Sequence, residues 1–354
     1  MRLPSPALTC LFVSLSLLVI GRRHIQELVE IGRTYLTYHT LVHDHADILH
    51  RYSSTNESSF DGSLLGVQKQ EQAPKIIHQI FLTDERNGNT SKYRSATDSC
   101  KHLHSDWEYN LWTDMNATAF MREHYPDLAP HYEGYRQSIQ RANILRYALL
   151  HHYGGVYLDL DVTCLVSLDG LLHLPLLTPG AYPAGVNNAF ILARPHHPLL
   201  GQLIQTAPSR DLRWPMPYVE NMLSTGCMFF TNRWMEHVRA LNLNQSAAVF
   251  DRVAILADEN GDVNLHMLRG KVTTPLFAHG GASSWHGWDA AVILLIGQHY
   301  ISFIIGVLFM IAFIGVGLWG IAKYMTATKH RLPRSHSWPN QQDDQERMLV
   351  NKGD

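Results

Sequence analysis

Residues 301–322 read ISFIIGVLFMIAFIGVGLWGIA, with no ionisable side chain anywhere in the run. As a helix this stretch is about 33 Å long, enough to cross a hydrocarbon core of about 30 Å. A helix buried inside a water-soluble core keeps a polar edge, and this run has none. The chain therefore has to be read as a membrane-associated protein before any other fold class is considered. Lys323, Lys329, Arg331 and Arg334 follow the run, whereas Asp289 and His299 precede it. Positive charge stays on the cytoplasmic side. This places the tail, 323–354, in the cytosol and the chain before residue 301 in the lumen.

A second apolar stretch occupies residues 3–20, interrupted only by Pro4, Ser5, Pro6 and a few small polar residues, and followed by Arg22 and Arg23. The segment 7–20 has the length of a signal-peptide core. No small-x-small cleavage site follows it. Residues 1–23 are read as an uncleaved signal anchor, with a cleaved signal peptide as the alternative. Glycosylation triplets begin at Asn56, Asn89, Asn116 and Asn244, all between the two apolar segments, in keeping with a lumenal middle. Charged residues make up 17% of the chain, below the roughly 25% of soluble domains, and two membrane segments account for part of the deficit. The formal charge of −2 excludes a nucleic-acid binder that relies on bulk positive charge. Cys10 lies in the first apolar stretch. Cys100, Cys164 and Cys227 allow one disulfide and one free thiol. Bridges from Cys227 to Cys100 or to Cys164 are both open, and no spacing suggests zinc.

Between these segments, residues 24–73 are polar, mixed and Ser-rich over 53–63, the composition of a stem. Order is expected from Pro74. The stretch KIIHQIFL (75–82) is an apolar, β-branched strand pattern, and WEYNLW (107–112) alternates as a second strand. Thr113 and Asp114 then start a helix, with Phe120 and Met121 facing inward. Ile139, Ala142, Leu145 and Leu149 mark a helix over 138–151, ended by Gly154 and Gly155. A buried strand follows at 156–160. Alternating strands and helices imply a doubly wound α/β sheet, in one catalytic domain over 74–290. Residues 291–322 form an interfacial segment and the membrane helix.

The segment 141–161, RANILRYALLHHYGGVYLDLD, carries the chemistry. Alternation along a strand places Val156, Leu158 and Leu160 on one face and Tyr157, Asp159 and Asp161 on the other. Two carboxylates at the C-terminal end of a strand sit where open α/β sheets bind ligands. Hard divalent cations take carboxylate oxygens, and a nucleoside diphosphate leaving group needs such a cation. Asn143 and Arg146 share a helix face. Arg146 is suited to clamp a sugar hydroxyl or a phosphate, or to pair with one of the aspartates.

The blocks PKIIHQI (74–80), YNLWTD (109–114), RY (146–147) and YGGVYLDLD (153–161) appear in that order. They are followed by VNN (186–188), PHHP (195–198), STG (224–226) and SSWH (283–286). In this arrangement the chain resembles the fungal inositol phosphoceramide mannosyltransferases. These sit within a wider family of Asp-x-Asp sugar transferases that includes the yeast initiating α-1,6-mannosyltransferases. More distantly, the pattern is similar to the glucosylating clostridial toxins. A membrane helix soon after SSWH is a further point of similarity with the ceramide-directed members.

The resemblance implies a GT-A-type, Rossmann-like nucleotide-sugar transferase domain with an N-terminal signal anchor and a C-terminal transmembrane helix. It implies retaining transfer with Mn²⁺ or another divalent cation. The implied substrates are GDP-mannose as donor and inositol phosphoceramide or a related lipid as acceptor. The implied setting is the Golgi membrane, with the catalytic domain lumenal and a regulatory membrane subunit as partner. On the residues, it implies Asp161 as the main metal ligand, with Asp159 and Ser283 beside it. Asp159 also bridges sugar and ribose hydroxyls, and Arg146 holds the donor sugar. His78, Gln79, Asn143, Tyr147, Asn188, Trp285 and His286 complete the donor site. Two positions depart from the pattern: Asn143 and Ala189 stand where family members usually carry acids. Two alternatives remain alongside: a hexosyltransferase acting on glycoprotein glycans, and a non-catalytic lumenal regulatory subunit.

Overall fold

A computed structural model describes residues 6–52, 73–82, 90–241, 250–281 and 287–329, the first fifteen of these by backbone alone. The chain divides into two units, residues 1–290 and 291–354.

The first unit begins with α1 (Pro6–Asp44), β1 (Leu49–Arg51) and β2 (Ile76–Phe81), then α2 (Arg94–Leu103) and β3 (Glu108–Thr113). Next come α3 (Asp114–His124), α4 (Ala129–Gly134), α5 (Ser138–Tyr153), β4 (Gly155–Leu158), β5 (Val162–Cys164), β6 (Leu176–Pro179) and β7 (Phe190–Ala193). It closes with α6 (Pro198–Arg210), α7 (Pro217–Ser224), α8 (Cys227–Ala240), β8 (Ala254–Ala257), β9 (Val272–Thr273) and β10 (Phe277–His279). α9 (Trp288–Gln298) leads into the second unit, which contains α10 (Tyr300–Lys329).

Seven strands form one sheet in the order β1-β8-β6-β7-β4-β2-β3. β7 runs antiparallel to both its neighbours, and the remaining pairs are parallel. The expected α/β architecture is present, with an antiparallel strand at its centre. A second sheet, β5-β10-β9, lies directly after the carboxylate turn. The apolar residues of α5 and β4 explain why the centre holds. Ile144, Leu145 and Leu149 are fully buried on one side of the sheet, Val156 and Leu158 on the other. Each such side chain contributes about 1.5–3 kcal/mol relative to exposure.

The turn between α5 and β4 requires glycine twice. Gly154 and Gly155 have φ of 70° and 90°. A Cβ on Gly155 would lie 2.5 Å from the Ile76 carbonyl oxygen, so β4 could not seat against β2. At the start of α3, the expected cap is present: Thr113 and Asn116 exchange hydrogen bonds in a capping box.

Three expectations on organisation are corrected. Residues 24–52 are not a stem. α1 is one helix running from the apolar segment onto the α/β sheet and its helices. Tyr38 and Leu41 are buried in the core there, and β1 pairs with β8 at the edge of the main sheet. Polar composition hid this, because α1 is held largely by ion pairs: Glu27 and Glu30 meet Arg210 at 2.6 and 2.7 Å, and Glu30 also meets Arg233. Residues 53–72, with Asn56, lie outside those described. Second, the carboxylate strand ends at Leu158, and Asp159 to Asp161 form a turn. Third, the disulfide joins Cys100 to Cys164, and Cys227 is the free thiol.

Among the described residues no helix is long and apolar enough to cross a membrane. In α10 most large apolar residues whose side chains are described are exposed, including Phe313 and Val316.

Several buried histidines are held neutral. His78 donates from Nε2 to the Gly154 carbonyl and accepts at Nδ1 from Trp112. Burial pulls it down from 6.5 to about 4. His50 falls to about 3 through burial and its neighbours His173 and His266. Because these folded values lie below the unfolded one, the unfolded chain binds more protons. The stability they contribute is complete above pH about 6.5 and is lost as pH falls toward about 4. Urea midpoints are expected to drop between pH 7.5 and pH 5, and a flat profile over that range would contradict it.

Candidate active site

β4 delivers its carboxylates at its C-terminal end, beside the antiparallel β7. Tyr157 faces α5, and Arg146 on α5 lays its guanidinium 4.4 Å from the centre of the Tyr157 ring. The Arg146 side chain is 3% exposed. Its Nη1 donates to the Asn188 carbonyl at 2.5 Å, and Nη2 lies 3.3 Å from Asp159 Oδ1. The Tyr157 hydroxyl donates to the same Oδ1 at 2.7 Å. The Asp159 backbone N–H donates to the Ala189 carbonyl at 2.8 Å, and the Gln79 amide reaches the Asp159 carbonyl at 3.4 Å. Burial holds the Asp159 carboxyl above the usual carboxylate range, and the charge of Asp161 adds to this. Arg146 and the Tyr157 hydroxyl pull it back.

Asp161 stands at the start of β5. His279, from the neighbouring β10, brings Nε2 to 3.5 Å of its carboxylate. His279 Nδ1 donates to the Gly270 carbonyl at 2.7 Å, which orients the ring. The Gly280 N–H donates to the Asp161 carbonyl at 2.8 Å.

A neutral hydrogen-bonded cluster of amides and hydroxyls lies beside Arg146. The Asn143 amide donates to Asn221 Oδ1 at 2.9 Å and to Thr225 Oγ1 at 3.2 Å. The Asn188 amide donates to the Tyr147 hydroxyl at 2.9 Å and to Asn143 Oδ1 at 3.3 Å. Tyr147 donates onward to the Thr225 carbonyl, and the Cys227 thiol donates to Asn188 Oδ1 at 3.0 Å. Amides and hydroxyls take the place of charge here. Asn143 suits this setting because its NH₂ serves two acceptors at once, which a carboxylate cannot do.

The structure thus brings together Asp159, Asp161, Arg146, Asn143, Tyr147, Asn188 and Gln79. Gln79 is fully buried and held by Tyr109 and Thr97 at its Oε1. His78 is not part of the group. It is fully buried, both ring nitrogens are committed, and it packs between Tyr153 and Trp112. Strand alternation turns it away from Gln79, so proximity in sequence misled. Ser283, Trp285 and His286 lie outside the described residues. In the sequence His279 and Asn221 carry no site signal, Thr225 belongs only to the STG block at 224–226 without a role of its own, and Cys227 is weighed only as a disulfide partner. Nothing in their spacing connects them to residues 143–161. Tyr157 lies on the face that strand alternation predicts, and its role under the Arg146 guanidinium comes from the fold.

Among the described residues, no group of three or more His, Cys, Asp or Glu is arranged to hold a metal. The donor set nevertheless suits a hard cation. Two carboxylates stand together with one buried guanidinium, and burial, with the charge of Asp161 adding to it, pushes Asp159 toward its neutral form. A divalent cation on Asp159 and Asp161 would relieve that, with oxygen ligands from a bound diphosphate completing its shell.

Residues 90–176 match the family model of the glycosyltransferase sugar-binding region containing the DXD motif. The chain is 33% identical over 267 residues to inositol phosphoceramide mannosyltransferase 2 of Schizosaccharomyces pombe, covering 75% of this chain and 71% of that protein. It is 32% identical over 232 residues to mannosyl phosphorylinositol ceramide synthase CSH1 of Saccharomyces cerevisiae, covering 66% of this chain and 58% of that protein. Among solved structures, the PaToxG glycosyltransferase aligns with a TM-score of 0.39 at 16% identity, covering 64% of this chain and 83% of that one.

Arg146→Met would leave the Asp159 carboxylate without its cation and the Asn188 carbonyl without its donor. Breaking a buried pair from one side costs about 3–5 kcal/mol, and partial exposure of Asp159 places this one at the lower end. Thermal melts are expected to show a Tm lower by several degrees, partly recovered in Arg146→Lys. An unchanged melt would show that the guanidinium does not hold this corner of the site.

Proposed function

Because the chain belongs to the inositol phosphoceramide mannosyltransferase family of DXD glycosyltransferases, we propose that it moves mannose from GDP-mannose to inositol phosphoceramide or a related lipid, in a reaction that depends on Mn²⁺ or another divalent cation. The enzyme is a glycosyltransferase of sphingolipid synthesis. The observation that carries the reading is the pair Asp159 and Asp161 at the end of β4, with Arg146 locked over Tyr157 between them and the amide cluster.

Asp161 and Asp159 would hold the cation, with Ser283 as a third ligand. The cation supplies charge neutralisation for the departing diphosphate. Arg146 is fixed before substrate arrives, so it stabilises developing charge without reorganising. Asn143, Asn188 and Tyr147 offer amide and hydroxyl groups to the hydroxyls of the donor sugar. The bond from the sugar C1 to the phosphate oxygen breaks as the bond from C1 to the acceptor oxygen forms on the same face. The acceptor proton passes to the departing phosphate oxygen, and the configuration is retained.

The same proposal places the protein in the Golgi membrane, catalytic domain lumenal and tail cytosolic, with α10 and the first part of α1 as membrane segments. The exposed apolar surface of α10 supports it. So does the Cys100–Cys164 disulfide, which suits an oxidising lumen. Of the glycosylation triplets, Asn116 is described, and it is exposed. A regulatory membrane subunit belongs to this reading. Transfer to glycoprotein glycans is the second reading; the apolar α10 favours the lipid.

The test is a transfer assay with several sugar nucleotides against lipid and glycan acceptors, with and without EDTA. Donor turnover is expected to need the cation and to fall about 10²–10³-fold in Asp161→Ala, the loss typical of one electrostatic contact to the transition state. A protein that binds no sugar nucleotide with any divalent cation would end the enzyme reading.

A further inference from the structure

β4, β6 and β8 run in the same direction, with β7 antiparallel between β4 and β6. The chain that follows each of them, 159–161, 180–189 and 258–271, therefore lies at one edge of the sheet, the carboxyl edge where open α/β sheets bind ligands. Two of these connections meet in an exposed pair that the carboxylate site does not use. Arg269 lays its guanidinium 4.0 Å from the centre of the Tyr182 ring. Tyr182 is 59% exposed, and Arg269 is exposed too, as is Lys271 beyond Gly270. Among the described residues neither cation meets a carboxylate.

The backbone on either side of Arg269 is tied to the site. The Leu268 carbonyl accepts the Asn187 side-chain amide at 3.2 Å, and Asn187 precedes Asn188, whose carbonyl holds Arg146. The Gly270 carbonyl accepts His279 Nδ1 at 2.7 Å, and the same ring brings Nε2 to 3.5 Å of the Asp161 carboxylate. Gly270 is thus one imidazole ring away from Asp161. The turn that carries Tyr182 is closed by the Ala181 N–H donating to the Gly185 carbonyl at 2.9 Å and the Asn187 N–H donating to the Pro179 carbonyl at 2.8 Å. The sheet order adds a direction. Gln79 of the donor group lies on β2, to one side of β4, whereas β6 and β8 lie to the other. The stacked pair therefore flanks the carboxylates on the side away from Gln79.

We propose that Arg269, on its Tyr182 platform, binds the phosphodiester of the acceptor headgroup. Stacking uses the face of the guanidinium and leaves its N–H edge for the two non-bridging oxygens of a phosphodiester. An anionic acceptor has to approach two carboxylates and a nucleoside diphosphate. A cation on its own side of the site offsets that like-charge repulsion. A neutral glycan acceptor has no such need. The assignment deepens the lipid-transferase reading given above and rests on it.

The test uses the full chain in phosphatidylcholine vesicles with Mn²⁺, GDP-mannose and inositol phosphoceramide. Glycerophosphoinositol, which carries the same phosphodiester without the ceramide, is titrated as a competitor. In Arg269→Gln the acceptor KM is expected to rise about tenfold, the loss of one charge-assisted hydrogen bond, and inhibition by glycerophosphoinositol to weaken as far. Arg269→Lys keeps the charge and is expected to recover part of the loss. In Tyr182→Leu, which removes the ring and keeps the cation, the acceptor KM should rise about threefold, the worth of an exposed cation–π contact. The GDP-mannose KM should move by less than about twofold, a split that a general loss of structure would not give. Both side chains are exposed, so neither substitution removes a core contact. The proposal is overturned if the acceptor KM is unchanged in Arg269→Gln, or if the GDP-mannose KM rises as far. It is also overturned if glycerophosphoinositol acts equally on wild type and Arg269→Gln, which would make Arg269 a contact to the vesicle surface. A wild-type protein that turns over no donor refutes the enzyme reading itself, whereas normal turnover with an unmoved acceptor KM refutes only the subsite.

Discussion

A guanidinium buried to 3% exposure cannot be left without partners, and the arrangement around Arg146 follows from that requirement. Its charge is met by Asp159, its N–H by the Asn188 carbonyl, and its face by the Tyr157 ring. Each partner comes from a different segment: Tyr157 from β4, Asp159 from the turn after it, Asn188 from the residues leading into β7. Seating one side chain thereby sets the register of α5 against β4 and β7. It also fixes where the Asp159 carboxylate points, which is the property a nucleotide-sugar site needs.

The polar cluster around Asn143 extends the same logic without charge. A carboxylate at residue 143 would add a third acid near Asp159 and Asp161. An amide instead ties α5 to α7 and to Thr225, so that the helix and the loop move as one wall. The departure from the family pattern at Asn143 is thus matched by partners suited to an amide. At Ala189 the backbone carries the contact, because its carbonyl accepts the Asp159 N–H.

α1 contributes a second constraint. Glu27 and Glu30 grip Arg210 and Arg233, Thr34 donates to Asn232, and Tyr38 donates to the Gly185 carbonyl at 2.8 Å. A helix fastened this way over several turns is not a tether. It fixes the catalytic unit relative to the segment 6–20 of the same helix.

Local chemistry was legible in the linear chain. The strand at 75–82, the cap at Thr113, the helix ended by Gly154 and Gly155, and the shared face of Tyr157 and Asp159 all depend on spacing of 2 or 3.6 residues, and sequence displays spacing directly. The roles of α1, β1, His279, Asn221 and Cys227 depend on contacts between residues far apart in the chain. Glu30 meets Arg233 and Asp161 meets His279 only because the sheet order brings their segments together. His78 shows the limit from the other side: its place in a strand was foreseeable, but which face is filled by Trp112 and Tyr153 was not. The α/β class, the carboxylate pair and the apolar run are written in short-range pattern and composition. Which polar residues share the site is settled by how buried charge is compensated across distant segments, and that compensation exists once the chain is folded.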